Sequence, residues 1–422
     1  MTLPNARITR MSPPCLTRRA RRGSNRERML PYARRDTGGA MQTARTRPTL
    51  FCLALAAVLC LLATPPMRVS ARQAAPPQPQ VTEQVFRNIQ VLKGIPIDTF
   101  FDVMGMFASS MGEDCTFCHL KQSVFDHNAF GEETPRIRRA RQMIAMMNTI
   151  NEANFGGRKM VTCFTCHRGN NTPVNSPKLA LQYGEPEDDP NVMNFPAETN
   201  ITADQILDTY LQMLGGAAQL AAIASFTATG TYSGFDTDHK EVPVDIYAKA
   251  PNQRTWIIHM ADGDSSRVFD GRNGWWAGPD APAPIETLTS GNLDRYRLEA
   301  LVAFPAGIKQ AFARWKVGRT AIDDRPVQIV QGTNPGLLPV NLYFDTKTGM
   351  LVRLVRWNDT PVGPVPTEIN YGDYRGVAGV KMPFTWTVSQ TYMQMTIKLS
   401  EIRPNVPVEA ARFARPVPAA KR

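Results

Sequence analysis

Two copies of one pentapeptide constrain this chain more than anything else in its 422 residues. Cys115-Thr116-Phe117-Cys118-His119 and Cys163-Phe164-Thr165-Cys166-His167 both read Cys-x-x-Cys-His, the attachment sequence of a c-type haem. Two thiols three positions apart can each form a thioether to a porphyrin vinyl group, and the next residue, His, then lies under the ring with a nitrogen for the iron. One such pentapeptide is expected by chance roughly once in a thousand chains of this composition, so two are no coincidence. A zinc site and two local disulfides are the competing readings. Zinc gives no reason for a His directly after each second Cys. His119 and His167 are therefore the expected iron ligands, and Cys115, Cys118, Cys163 and Cys166 the expected attachment points of two covalently bound haem c groups.

The formal charge of +11 invites a nucleic-acid partner, but its location removes that reading. Residues 1–71 hold thirteen Arg against Glu27 and Asp36, and the remainder of the chain is neutral. Leu50–Ala63 is an unbroken apolar run behind Arg45 and Arg47, short for a membrane span and suited to the core of a secretory signal. Val69-Ser70-Ala71 offers a small-residue cleavage site. The expected organisation is a leader and signal over 1–71, with Met41 as a plausible true start, and a Pro-rich linker over 72–80. A haem-binding region follows over 81–170, a second Pro-rich linker over 171–200, and a β-rich region over 201–418. The expected location is the periplasm or the periplasmic face of the inner membrane, with membrane association through an uncleaved signal anchor or through a partner. Three of the seven Cys lie in the leader and four in the two motifs, so none is left for a structural disulfide.

Apolar spacing predicts helices over Thr82–Leu92, over Ile97–Met111 between Pro96 and Gly112, and from Pro135, with Thr134 as N-cap, to Gly156-Gly157. Each Cys-x-x-Cys-His thus follows a helix with Met on its apolar face. A further helix is expected over Ile201–Ile223 and another over Leu298–Trp315. From Phe226 onward the pattern becomes that of strands, eleven in all, with a hairpin turn at Asp345–Gly349. The fold class is α+β: a small all-α dihaem cytochrome c domain, then a β-rich half-barrel-like domain with a leading helix.

A Met thioether is the soft donor that raises a haem's potential. Met104 and Met143 lie mid-stripe on the two helices, with Met106, Met146 and Met147 as rivals and core packing as the ordinary alternative. Arg136, Arg138, Arg139, Arg141, Arg158 and Arg168 surround the motifs. Arg168, beside His167, is the best candidate to pair with a haem propionate. His127, His239 and His259 read as surface residues.

Asn88-Ile89-Gln90-Val91-Leu92, the helical stretch FFDVMGMF and VTCFTCHRGN at Val161–Asn170 resemble the cytochrome c subunit of photosynthetic reaction centres. The resemblance covers Val81–Asn170 and the first pair of that family's four haem segments. It implies axial Met ligands at Met104 and Met143, two six-coordinate haems, and an electron carrier rather than an enzyme. The partner it implies is a membrane-bound reaction centre, whose photo-oxidised primary donor the carrier re-reduces; a periplasmic respiratory electron carrier serving a respiratory complex is one alternative. The second haem pair is missing, and a β-rich region stands in its place. That region's pattern, with YFDTKTGMLVRL at Tyr343–Leu354, is similar to the half-barrels of periplasmic lipoprotein carriers. A haem enzyme or sensor, with the β region binding a lipid or a partner, is another alternative.

Overall fold

A computed structural model describes residues 78–177, 200–279 and 281–417. The expected leader, its signal and cleavage site, most of the first linker and the stretch 178–199 of the second lie outside the described residues. All described residues belong to one compact unit, Ala75–Arg422. Among them no helix is long and apolar enough to cross a membrane.

The motif region is helical: α1 (Thr82–Val85), α2 (Ile97–Met111), α3 (Cys115–Cys118), α4 (Pro135–Phe155) and α5 (Cys163–His167). Helix α2 has the expected bounds, and Gly112 closes it in the left-handed conformation (φ 66°) that favours glycine. Thr134 caps α4 by accepting the Ile137 amide at 3.1 Å. The expected helix Thr82–Leu92 stops at Val85 instead. Asn88 turns left-handed at φ 60°, and its side chain donates to the Gly131 carbonyl and to Glu133. These distant partners outweigh about two further turns' worth of local periodicity.

Helices α6 (Ala203–Leu214) and α7 (Ala217–Ala222) replace the single helix expected over Ile201–Ile223, because Gly215 and Gly216 both take positive φ between them. The expected helix Leu298–Trp315 lies instead at α8 (Ser290–Ala303). Pro305 stands just beyond its end and opens a 3-10 turn, Pro305–Gln310. Arg314 and Trp315 already belong to a strand.

Among the described residues thirteen strands, including β2 (Val242–Lys249), β3 (Gln253–Met260), β4 (Gly263–Phe269), β5 (Gly274–Ala277) and β8 (Arg325–Thr333), form one antiparallel sheet in the order β6-β5-β4-β3-β2-β1-β13-β12-β11-β10-β9-β8-β7. Consecutive strands pair throughout except β6 and β7, and β1 (Ser225–Gly234) pairs with β13 (Gln394–Pro404) to join the two halves of the meander. The sheet is open, with β6 (Glu286–Thr287) and β7 (Arg314–Ile322) as its edges; neither was expected from sequence. β12 (Val380–Gln390) alternates buried and partly exposed residues along most of its length, as a strand with one covered face should. Its inward residues meet Leu207, Tyr210 and Leu214 of α6 and Leu298 of α8 in the main core. β9 (Val340–Asp345) is buried along almost its whole length. Val340, Leu342 and Phe344 join that core, while Tyr343 joins a second cluster with Ile322, Val327, Ile329 and Val355.

The helical region packs on one end of this sheet. Val362 and Val365, in the hairpin between β10 (Leu351–Thr360) and β11 (Gly363–Val377), share a cluster with Leu92, Ile95, Val103, Met106, Ile144 and Met147. Lys159 reaches Asp359 of the same hairpin at 2.7 Å.

Candidate functional site

The first motif is a single helical turn started by its own N-cap. Asp114 accepts the Thr116 amide and hydroxyl, both at 2.7 Å. The turn is held from outside by the start of α4. Thr134 donates its hydroxyl to the Cys118 carbonyl at 2.6 Å. Arg136 donates to the Phe117 carbonyl at 2.7 Å and lies over the Phe117 ring. His119 follows, half-buried, and its Nδ1 lies 2.9 Å from the Phe130 carbonyl.

The second motif repeats the device. At the start of α5 the Thr162 amide donates to the Thr165 hydroxyl oxygen at 3.0 Å, and the two hydroxyls lie 3.2 Å apart. Asn151, buried on α4, clamps the approach by donating to the Val161 carbonyl and accepting the Val161 amide. His167 has its Nδ1 2.9 Å from the Asn170 carbonyl. A carbonyl can only accept, so in both rings Nδ1 carries a proton, and in the neutral form of either ring the lone pair is on Nε2. That is the tautomer an iron ligand needs, fixed in the way metal-bound imidazoles are usually fixed. Burial also holds the His119 imidazole neutral, with its pKa below the usual value.

The two motifs meet. Gly169 donates its amide to the Ser110 carbonyl at 2.8 Å, and Asn171 donates to Glu113 at 2.9 Å. The outgoing end of the second motif therefore lies against the incoming end of the first. All four thiols are free. Burial raises those of Cys115, Cys118 and Cys163, the last to about 11, so they stay protonated at neutral pH. Among the described residues no group of three or more His, Cys, Asp and Glu side chains is placed to hold a metal ion; the Cys pairs do not assemble the tetrahedral set that structural zinc requires.

The methionines fall into two kinds. Met106 and Met147 are buried in the apolar cluster, and Met146 is exposed. Met104 and Met143 are half-buried, Met104 at the edge of that cluster. Arg168 is exposed and left-handed at φ 52°, capping α5. Arg141 is engaged with Glu133 and the Asn88 carbonyl, Arg138 lies near Glu133, and Arg158 folds onto the Phe155 carbonyl. His127 is exposed. His259 lies far along the chain between Asp264 and Asp245 on the sheet, and His239 is in a left-handed turn.

Several large apolar side chains of the motif region stay exposed. Leu120, Val124, Phe125, Phe130, Met146, Met160 and Phe164 are all exposed here, an unusual density for a segment of this size. Free paired thiols and imidazoles whose Nδ1 is already engaged by a carbonyl match the demands of a covalently held haem.

Sequence reasoning missed Asn151 and the carbonyls of Phe130 and Asn170. It also missed two buried acids on α2, Asp98 and Asp102, although two acids four apart on an apolar helix were a visible anomaly.

Residues 57–215 match the family model of the photosynthetic reaction centre cytochrome C subunit, a wider span than Val81–Asn170. A reaction centre cytochrome c subunit from Roseobacter denitrificans is 31% identical over 102 residues, which cover 22% of this chain and 27% of that protein. The chain thus spans about a quarter of the curated relative's length. Two solved structures overlap about half of the chain. A LolA superfamily protein from Nitrosomonas europaea has 13% identity and a TM-score of 0.35, covering 51% of this chain and 98% of its own. A DUF1329 family protein from Desulfovibrio piger has 12% identity and a TM-score of 0.35, covering 50% and 96%.

Proposed function

We propose that this chain is an exported c-type cytochrome that carries single electrons through two covalently bound haems. The carrying observation is the pair of imidazoles at His119 and His167. Each follows two free thiols, and each donates Nδ1–H to a backbone carbonyl. Such a ring keeps Nε2 available to a metal. The match of residues 57–215 to a reaction-centre cytochrome family supports the same reading.

Cys115 and Cys118 would hold one haem, Cys163 and Cys166 the other, and the haem iron supplies the reversible one-electron exchange. Met104 and Met143 complete the ligand sets. They are half-buried beside a core that has already absorbed Met106 and Met147. Arg168, exposed and free of a carboxylate partner among the described contacts, is placed to meet a propionate. With His119 and Met104 at one iron and His167 and Met143 at the other, neither would offer a substrate site, and the protein would act as a carrier rather than an enzyme. The close meeting of the two motifs at Gly169 and Ser110 favours electron exchange between them. The partner is a membrane-bound redox complex at the periplasmic face, of the reaction-centre or respiratory kind.

The protein exported by a host competent in cytochrome c maturation should exceed its polypeptide mass by two haems. Met104→Ala and Met143→Ala should each abolish the Met-to-ferric-iron band of one haem and leave the covalent haem in place. A product with one haem or none would refute the dihaem reading. Unchanged spectra in both variants would refute the ligand assignment.

A further inference from the structure

We propose that the sheet region positions the axial Met104, with Asp102 as the positioning residue that fixes the rotation and depth of helix α2. The inference rests on the reading of Met104 as an iron ligand.

Helix α2 has two faces. At 100° per residue, Asp98, Asp102, Gly105 and Ser109 share one side, while Phe100, Met104, Phe107 and Met111 share the opposite one. The first side is fastened to the sheet region by directional bonds. Asp98 accepts the Thr289 amide at 2.6 Å and the Thr289 hydroxyl at 2.8 Å. A single oxygen of Asp102, Oδ2, accepts from Asn292 at 2.9 Å and from Asn358 at 2.6 Å. Asn292 also donates to the Asp98 carbonyl. Gly105 lies so close to Thr391 and Tyr392 that a β-carbon there would collide with both.

The clamp is buried and anchored on rigid elements. Asp98, Asp102, Asn292 and Asn358 are all buried. Asn292 sits in the first turn of α8, and Asn358 on β10, where its Oδ1 also accepts the Gly291 amide. Arg356, only 1% exposed, donates to Asn292 Oδ1 at 3.2 Å and supplies positive charge beside Asp102. Hydrogen bonds out of water are stiff and costly to break. An oxygen shared by two amides from two different elements fixes a point on α2 as apolar contacts cannot. Met104 on the far side of the same helix moves with that point.

Helix α4, which carries Met143, is the internal control. Its polar contacts from Thr134, Arg136, Arg141 and Asn151 all stay within the helical region, so the clamp should act on one haem only.

The test uses the exported dihaem protein and compares Asp102→Ala with Asp102→Asn. The amide carbonyl of Asp102→Asn can take the place of Oδ2 and keep both donors. Asp102→Ala should weaken the Met–iron band of one haem, lower the potential of that haem alone, and increase its carbon monoxide binding about ten-fold, the usual scale for losing the support of a metal ligand. Asp102→Asn should retain the band. If Asp102→Ala left the band and both potentials unchanged while Met104→Ala abolished the band, Met104 would remain a ligand and the positioning role would be overturned. A Met104→Ala protein with its band intact would overturn the ligand reading and this inference together. Should Asp102→Ala yield no holoprotein, Asn358→Ala removes one of the two donors. A wild-type spectrum and wild-type potentials in that variant would equally overturn the role.

Discussion

The region that carries the two motifs buries eight apolar side chains in its hundred described residues, whereas the sheet region buries more than fifty in about twice that length. The exposed large apolar residues run the other way, with eight in the motif region and six in the sheet region. The sheet region is a conventional folded body, with α6, α7 and α8 covering one face of a long meander. The motif region is a set of helices whose mutual contacts are thin. Its 21-residue helix α4 buries only Ile144, Met147 and Asn151. Such a region draws its order from elsewhere, on one side from the sheet through Val362, Val365 and the Asp98–Asp102 clamp, and, on the function proposed above, on the other from the haems its thiols would hold.

The largest expected effect breaks the comparison by removing the thiols proposed to hold haem. Replacing Cys115, Cys118, Cys163 and Cys166 with Ser should leave residues 200–417 folded and residues 78–177 largely open. Hydrogen exchange should show protected amides in the strands and little protection in α4 and α5, because local stability follows buried apolar contact. Equal protection in both regions would show that the motif region folds without its cofactors.

Next comes the clamp. Burial of Asp98 raises its pKa from 3.8 to about 6, against the opposing pull of its hydrogen bonds from Thr289 and Thr99. The fold thus favours the protonated carboxyl. That contribution is complete below pH 4, where the unfolded chain is protonated too, and is lost as pH rises towards 6. Over that window the Asp98 contribution should fall by about 3 kcal/mol. Asp98→Asn should flatten this part of the stability profile in denaturant titrations at a series of pH values. A slope unchanged by the substitution would assign it to other groups.

These two regions also differ in how far they could be read from sequence. The chemistry of the motif region was legible because Cys-x-x-Cys-His is a local code, and α2 was legible because Pro96 and Gly112 bracket an apolar stripe. Most strands were legible by alternation. β7, with Arg314, Lys316 and Arg319, was not, because an edge strand need not carry a clean apolar face. The clamp was half legible: Asp98 and Asp102 stand out on an apolar helix, but their partners Thr289, Asn292 and Asn358 lie about 190 to 256 residues away, beyond any local pattern. The carbonyls that orient His119 and His167 carry no sequence signature at all, since every residue has one.

A third experiment sharpens the comparison at the shared cluster. Val362 is 1% exposed and packs among residues of the helical region. Val362→Ala removes the equivalent of two methylene groups and leaves space behind, so stability should fall by about 2 kcal/mol. Hydrogen exchange should locate the loss in α2 and α4 more than in the strands. A loss spread evenly over the sheet would mean that this hairpin serves the sheet's own core.

The smallest effect is expected a few residues away, from the contact that looks strongest on paper. Lys159 and Asp359 join the same two regions at 2.7 Å, but their side chains are 35% and 62% exposed. Water screens such a pair, and holding two flexible side chains in one geometry costs entropy, so its contribution should be less than about 1 kcal/mol. Lys159→Ala should therefore change the denaturation midpoint far less than Val362→Ala, and raising the salt concentration should shrink the difference further. A loss as large as that of Val362→Ala, and insensitive to salt, would mean that the two regions are joined by charge at this hairpin rather than by the apolar contact beneath it.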